Sequence, residues 1–535
     1  MESEPGADKS EIATIRSHIE HGVTIPLVSL PAPLFFKNTN AVDDHSSAVR
    51  SRLRDYIAFG AVEELSTSEQ PIHGVQPLHA VVKPTSKPRL VIDLSRNLNP
   101  FLHIQPFKYS SIDDAVALSS PSCWYGKLDL SNAFLSFPLH PTAIPYFTFS
   151  FDEKLYRFSR MPFGLATAPL VCTQLLSVVV HALRGRIHRV IAYLDDFLFI
   201  CDSAEALSLA LEFAHEVFAS FGLVVNSSKT EGPTQVITFL GVELDSVACT
   251  TACPPSRLRE LESIIDSSLS LHVIRRRQLE SLIGKFSFAA QCLPGARPFM
   301  RRLLDVLQRC RRRNRAAIVR TDPGFKADLR YWRSHLDSWN GSARWRSSLS
   351  TPIVVASDAS LQGFGLHLVS VPADIDSSSW PAQLQPGAGI SGSWSKDHSL
   401  LCRDHRLITA CELFAVYAAA WSFRRQLKDR SVLFQIDNQT DVSIINRQST
   451  RSPLLTCILR ALFDLANKFN FSLRAVHLPG TDNFIADFLS RHSLHKFNYY
   501  QEWDSLFPAH SSSLLSVSCV HSHQFEVPGL TSLLQ

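Results

Sequence analysis

Asp195 and Asp196 stand side by side between two apolar runs, Val190-Ile191-Ala192-Tyr193 and Phe197-Leu198-Phe199-Ile200. Neighbouring carboxylates repel each other, and apolar surroundings raise the cost of their charge. A divalent cation removes that cost. A third carboxylate, Asp129, ends another apolar run in Lys127-Leu128-Asp129-Leu130. Three acids on neighbouring strand ends suit two Mg²⁺ ions roughly 3.5–4 Å apart, the pair that activates an attacking hydroxyl and stabilises a leaving phosphate. Magnesium takes oxygen ligands together with substrate phosphates. An Asp-Asp pair by itself is equally at home in an exposed turn. The third acid separates the two readings.

A second set of acids lies later in the chain. Asp358 follows the run Ile353-Val354-Val355, and Glu412 lies in the alanine-rich stretch Thr409-Ala410-Cys411-Glu412-Leu413. Asp437 follows Val432-Leu433-Phe434-Gln435-Ile436, and Asp487 lies in Ile485-Ala486-Asp487-Phe488-Leu489-Ser490-Arg491. A strand, helix, strand, helix series delivers these four acids. Each alone reads as a surface residue; as an ordered set they suit metal-assisted attack of water on a phosphodiester.

The elements that must position these groups are visible as periodicity. Leu78–Lys83 and Arg89–Leu94, joined by turn residues, read as a hairpin, as do 147–151 and 155–158 around Asp152-Glu153-Lys154. The 190–200 stretch reads as strand, turn, strand. Ala168–Leu183 reads as a helix. Residues 204–221 carry Leu207, Leu211, Ala214, Val217 and Phe218 at helical spacing, and Gly222 suits the helix end. Helical patterning returns over 256–315, and strand–helix alternation runs from Ile353 to about 491. Residues 1–45 are polar and irregular and read as a mobile tail; 496–535 read as a second tail.

These motifs, in this order, resemble those of reverse transcriptases over residues 75–245. Lys127-Leu128-Asp129-Leu130-Ser131-Asn132-Ala133-Phe134 is similar to the first palm motif. Arg160-Met161-Pro162-Phe163-Gly164-Leu165-Ala166-Thr167-Ala168-Pro169 is similar to the second, and Tyr193-Leu194-Asp195-Asp196 to the Tyr-x-Asp-Asp box. Phe221-Gly222-Leu223-Val224-Val225-Asn226 with Lys229-Thr230, then Phe239-Leu240-Gly241, resemble the fourth and fifth. The resemblance implies that Asp129, Asp195 and Asp196 hold the metals, with Asp196 acting more through its charge. It implies that backbone amides near Asn132 and Ala133 cradle the triphosphate. Phe134 then lies beneath the sugar, where its ring excludes a 2′-hydroxyl; the plain alternative for any Phe is core packing. Lys83 and Arg89 resemble the fingers cations that bind incoming phosphates. Phe163 stands where lentiviral enzymes carry Gln and matches the Pro-Phe-Gly form of many retrotransposons.

Residues 350–495 resemble the RNase H fold, with Asp358, Glu412, Asp437 and Asp487 matching its acidic set. His477 precedes Pro479-Gly480 and is given no catalytic role. The implied fold class is α+β multidomain: a right-hand fingers–palm–thumb polymerase followed by an α/β RNase H-like domain. The implied division is a tail over 1–45, fingers and palm over 46–245, a helical, basic thumb and connection over 246–345, the RNase H-like domain over 350–495 and a tail over 496–535. The implied ligands are Mg²⁺, with Mn²⁺ as an alternative, deoxynucleoside triphosphates, an RNA template, a DNA primer and the RNA–DNA hybrid. Homodimerisation and association with other element-encoded proteins stay open.

Composition agrees with a folded multidomain chain. At 535 residues, with 45% hydrophobic and 19% charged residues, it exceeds one ordinary domain and is not of disordered composition. No apolar run reaches membrane-spanning length, and the start, MESEPGADKS, lacks a signal-peptide pattern. An intracellular protein, cytoplasmic or nuclear, is the expectation. Eleven scattered cysteines with no CxxC pair read as small buried hydrophobes. Net charge is only +4, but nine arginines and one acid, Asp305, lie between Arg297 and Arg320. That run reads as phosphate contact or as a solvated helix face. Pro-Phe-Gly, Asp-Ala-Ser and Asp-Asn-Gln-Thr look closest to DIRS- or PAT-type retrotransposons, then gypsy-type elements; hepadnavirus-like polymerases share the Pro-Leu-His-Pro-x-x-x-Pro run at 138–145. Two other classes compete. One is a catalytically silent remnant kept as a nucleic-acid-binding protein; the other is a structural component of an element particle, for which no zinc-knuckle segment is visible.

Overall fold

The computed structural model describes residues 9–66, 72–83, 86–292, 295–310, 318–339, 342–345, 352–381, 384–395, 407–491, 516–528 and 530. The chain divides into two compact units, 1–240 with 244–247, and 241–243 with 248–535.

The first unit begins with helices α1 (Lys9–His21) and α2 (Ser46–Ala58) and the short strand β1 (Val62–Glu64). Strands β2 (Leu78–Lys83) and β3 (Ser86–Ile92) form the expected hairpin, with Val81 opposite Arg89. Then come β4 (Trp124–Asp129), β5 (Thr148–Phe151), β6 (Lys154–Phe158), α3 (Ala168–Arg184), β7 (Val190–Tyr193), β8 (Asp196–Cys201), α4 (Ala204–Ser220) and β9 (Glu231–Thr234). The site-bearing sheet has the order β7-β8-β4-β9, and a smaller sheet has the order β1-β6-β5.

Local chemistry explains the sheet's supports. Ser203 caps α4 by accepting the Ala206 amide at 3.1 Å. The apolar stripe of α4, including Leu207, Leu211, Ala214 and Phe218, is buried. It presses on β4 at Gly126, where an added Cβ would lie 3.1 Å from the Leu211 methyls. A chain that reads as a polar tail carries α1 with Ile15 buried, then a fully buried Val23 and a nearly buried Val42. Those few apolar residues anchor it against the unit's core, which polar composition conceals.

The second unit holds two hydrophobic cores. Helices α5 (Pro255–Ser270), α6 (Arg276–Ala289), α7 (Arg301–Cys310) and α8 (Pro323–Trp339) share a core with Leu261, Leu282, Leu303 and Trp332. Phe286 stacks on Trp332 at 4.6 Å. The continuous helical pattern expected here is broken by Val273–Arg275, which pairs with Ile318–Arg320. Strands β10 (Ile353–Ala359), β11 (Gly363–Ser370), β12 (Ala388–Ser393), β13 (Ser431–Ile436), β14 (Ser472–His477) and β15 (Ser516–His521) form one sheet of order β14-β13-β10-β11-β12-β15. The pairs β10–β11 and β11–β12 are antiparallel, while β10–β13 and β13–β14 are parallel. This is the mixed sheet expected of an RNase H-like domain. Helix α9 (Ile408–Ser422) is buried nearly all round, as suits a helix apolar on every face. Helices α10 (Gln439–Arg447), α11 (Pro453–Lys468) and α12 (Phe484–Arg491) complete it. Residues 516–521 lie in the stretch read as a C-terminal tail, yet β15 pairs with β12, and Phe525 and Leu530 are buried.

Candidate active sites

The first site is built by strand register. Asp129 lies directly opposite Asp196 on the β4–β8 ladder, and Tyr193 opposite Asp196 on the β7–β8 ladder. Leu194 and Asp195 therefore form a two-residue hairpin turn. Leu194 adopts φ 53°, the positive-φ geometry that tight hairpins demand and that leucine pays strain to reach. The Asp195 carbonyl accepts the Leu130 amide at 2.8 Å, which locks the turn against β4. Tyr193 packs on Tyr109 with ring centroids 5.0 Å apart.

The carboxylates differ in setting. Asp129 is buried, and the Lys229 ammonium donates to both its oxygens at 3.0 and 2.9 Å. Burial, then repulsion from Asp195 and Asp129, pushes Asp196 up to about 6. Burial first, with the Asp129 charge, also raises Asp195. Lys229 stands in the fourth motif and was not singled out as a site residue; its pairing spans 100 positions.

Around this trio lie the other expected residues. Asn132 is left-handed and Ala133 buried. Phe134 meets Phe163 with centroids 5.2 Å apart, and the Arg89 guanidinium lies 4.5 Å over the Phe163 ring. Arg89 is thus brought to the site region beside an aromatic. Lys83 belongs to β2, but its side chain lies outside the described residues. Gly164 has φ 111°, and a Cβ there would meet the Ile92 carbonyl oxygen at 1.9 Å. Asn99 holds the same turn, donating to the Gly164 carbonyl and accepting the Ala166 amide, both at 3.0 Å.

The second site is built by burial. Asp358 on β10, Glu412 on α9 and Asp437 after β13 offer oxygens that all lie within 4.8 Å of one another, and among the described residues no other three acids, cysteines or histidines converge so closely. Ser490 donates to Asp358 at 2.6 Å. Burial, eased by that bond, pushes Asp358 up to about 7. Burial and then the charges of Asp358 and Asp437 push Glu412 up to about 11. The buried Glu412 Oε2 has no hydrogen-bond partner among the described residues. Buried, mutually repelling, under-partnered oxygens are a donor set that fits a hard divalent cation. Asp487 is not part of this convergence; Arg491 holds its carboxylate at 2.6 Å. Asp441, one turn after Asp437, is fully buried with neither carboxylate oxygen partnered among the described residues, and burial pushes it up to about 8. Only its spacing from Asp437 signals it in the sequence.

The arginine run divides. Arg301 pairs with Asp305, Arg302 with the buried Asp328 at 3.5 Å, and Arg309 with Asp322 at 3.4 Å. Asp328 also takes Arg460 at 2.7 Å. These three arginines are engaged in local ion pairs, while 311–317 lie outside the described residues.

The first site lies within a span that matches a known family. Residues 48–244 match the family model described as reverse transcriptase (RNA-dependent DNA polymerase). This part of the chain is a reverse transcriptase domain. The span takes in Asp129, Asp195 and Asp196 and every element of their sheet. Relatives of this reverse transcriptase domain include the Gag-Pro-Pol polyprotein of Squirrel monkey retrovirus, 28% identical over 182 residues, which are 31% of this chain and 9% of that protein. The putative enzymatic polyprotein of Cassava vein mosaic virus is 20% identical over 487 residues, 86% of this chain and 66% of that one. Protein P of Duck hepatitis B virus is 28% identical over 192 residues, 34% and 22% of the two chains. The chain therefore spans less than two thirds of each of these relatives. Among solved structures, the foamy viral protease-reverse transcriptase in complex with RNA/DNA hybrid shares the fold at a TM-score of 0.52 and 15% identity, covering 92% of this chain and 63% of that one. The same foamy viral protein in complex with dsDNA gives a TM-score of 0.52 at 17% identity, covering 88% and 95%.

Proposed function

We propose that this chain copies RNA into DNA at the Asp129–Asp195–Asp196 site and cleaves the RNA strand of the hybrid at the Asp358–Glu412–Asp437 site, with Asp487 contributing from α12. The observation that carries the reading is the register of β4 against β8, which sets Asp129 opposite Asp196 inside a reverse transcriptase domain. A divalent cation pair, Mg²⁺ or Mn²⁺, supplies hydroxyl activation and leaving-group stabilisation when bound at each site. The chain's own residues do the rest. Asp129, Asp195 and Asp196 hold negative charge at one sheet edge. Amides of Asn132 and Ala133 donate to the triphosphate. Arg89, with Lys83, neutralises phosphate charge. Phe134, braced by Phe163, leaves no room for a 2′-hydroxyl. In the second site Asp358, Glu412 and Asp437 gather the cations, and contacts to 2′-hydroxyls select RNA.

The domain reading that accompanies this is fingers and palm over 46–245, thumb and connection over 246–345 and the RNase H-like domain over 350–495. Substrates are an RNA template, a DNA primer and deoxynucleoside triphosphates; the foamy viral neighbour's complex with RNA/DNA hybrid supports that class of partner. No helix among the described residues is long and apolar enough to cross a membrane, and an intracellular setting supplies these substrates.

The test is extension of oligo(dT) on poly(rA) with dTTP by the purified chain, compared with Asp195→Asn/Asp196→Asn. Extension that is lost in the double variant supports the reading. A well-folded wild type that extends nothing in Mg²⁺ or Mn²⁺ defeats it and favours a silent nucleic-acid-binding remnant. Cleavage of a labelled RNA strand in a hybrid, compared with Asp358→Asn, tests the second site in the same way.

A further inference from the structure

Asn132 adopts φ 54°, ψ 41°. That left-handed conformation is unfavourable for most L-residues, though asparagine tolerates it. Its side-chain oxygen accepts a hydrogen bond at 3.0 Å from Nη2 of Arg52, 80 positions earlier on α2. The guanidinium is itself held in place. It lies 4.6 Å over the Tyr56 ring, its Nη1 reaches Asp55 at 3.5 Å, and its side chain is 19% exposed. A second guanidinium ties down the far end of the same loop: Arg160 donates to the Ser136 carbonyl at 3.0 Å and to the Gly60 carbonyl, just beyond α2, at 3.3 Å. Residues 132–136 are therefore clamped at both ends to the α2 region.

We propose that Arg52 is a positioning residue for nucleotide binding. It holds Asn132 in the left-handed state and so presets the Asn132 and Ala133 amides that receive the triphosphate. The inference rests on the reading of the palm as a deoxynucleotide site. Arg52 acts through Asn132 and touches no reacting atom. Its effect belongs to binding, because presetting a loop lowers the ordering cost of the complex. Interactions that serve ground state and transition state alike move KM and leave kcat. Lysine retains one donor but not the planar stack on Tyr56, so it substitutes only in part. Glycine at position 132 reaches positive φ without a side-chain anchor.

The experiment uses the full chain and four proteins: wild type, Arg52→Ala, Arg52→Lys and Arg52→Ala/Asn132→Gly. Steady-state extension on poly(rA)/oligo(dT) gives kcat and the KM for dTTP. Equilibrium dTTP binding to a complex with a 3′-dideoxy-terminated primer gives affinity without turnover. Amide hydrogen exchange reads the order of 130–136. Arg52→Ala is expected to weaken dTTP binding and raise its KM about tenfold, the scale of one lost charged hydrogen bond. Its kcat stays within about twofold, as uniform binding requires. Exchange at 130–136 accelerates, and Arg52→Lys and the double variant each recover part of the affinity. Unchanged dTTP affinity in Arg52→Ala overturns the proposal. So does unchanged exchange, a kcat loss that parallels a fall in Tm, or recovery in neither rescue variant. A wild type without extension defeats the polymerase reading, while exchange and dTTP binding still decide the role of Arg52.

Discussion

The two acidic sites solve one electrostatic problem in opposite ways. The reverse transcriptase site carries its own cation: Lys229 holds both oxygens of Asp129, and its side chain is 58% exposed. Among the described residues no lysine or arginine pairs directly with the converging acids of the RNase H-like site; Arg491, held by Asp487, acts on Asp358 and Asp437 only through its charge. Ser490 is a neutral donor to Asp358, Glu412 keeps an unpartnered oxygen, and Asp441 lies buried behind them. The first site therefore offers Asp129 a paired ammonium from the chain itself. At the second, burial and mutual repulsion raise Asp358 and Glu412, so their charge is costly without a counter-cation. Similar ligand types thus sit in electrostatically different surroundings, and a different response to metal is the expectation that follows.

The largest expected effects separate the two sites by activity. Asp195→Asn/Asp196→Asn should lower primer extension by at least roughly 10²–10³-fold, the scale of losing preorganised electrostatic stabilisation. RNA-strand cleavage should stay within about twofold, since sites that share no residue or partner act additively. Asp358→Asn should do the reverse. If either variant abolishes both activities while its thermal transition is unchanged, the sites are not separate and the comparison collapses.

Next comes the effect of metal on stability. Mg²⁺ at about 100 times its Kd stabilises a site by about 2.7 kcal/mol. That gain should appear in hydrogen exchange of β10 and α9 and be much smaller for β4 and β8, where Lys229 already offsets charge. Equal protection of both sheets by Mg²⁺ would remove the distinction drawn here.

A third effect isolates the extra acid. Asp441 has a folded pKa raised to about 8. A raised acid costs nothing below its unfolded pKa of about 3.9, costs progressively more as pH climbs, and reaches its full penalty above the folded pKa. Asp441→Asn should therefore be more stable than wild type at pH 9 by about 1–3 kcal/mol, the cost of a buried unpaired polar group. The gain should vanish near pH 4. Denaturant melts at both pH values give the difference, and a gain of equal size at both would show that packing, not charge, is responsible.

Legibility in the sequence followed the same divide. The β7–β8 hairpin was readable because apolar tetrads bracket Asp195 and Asp196, and period-two runs fix a register that brings Asp129 opposite. The alternating elements that deliver Asp358, Glu412 and Asp437 were equally readable. What was hidden depends on distance or depth. Lys229 meets Asp129 across 100 positions, and no local pattern encodes that. Asp441 sits in Asp-Asn-Gln-Thr-Asp, which looks like a solvated helix start, yet it is buried. Asp487 is grouped with the other three acids by the resemblance; in the structure its charge raises Asp358 and Asp437, while its carboxylate pairs with Arg491. The packed helix α1 and the strand β15 were missed because serine and charged residues dilute their few anchoring apolar side chains.

The smallest expected effect is the one that tests the internal cation directly. Lys229→Ala leaves the buried Asp129 carboxylate with no ammonium. Because Lys229 is largely exposed, solvent screens the pair, and the loss should be only about 1 kcal/mol. For a unit of this size that is a fall in Tm of about 2–4 °C without metal. Saturating Mg²⁺ should erase the difference, because a cation in the site supplies the charge that the lysine did. If the deficit persists in Mg²⁺, Lys229 stabilises the loop by packing alone, and the reverse transcriptase site would then depend on metal as fully as the RNase H-like one.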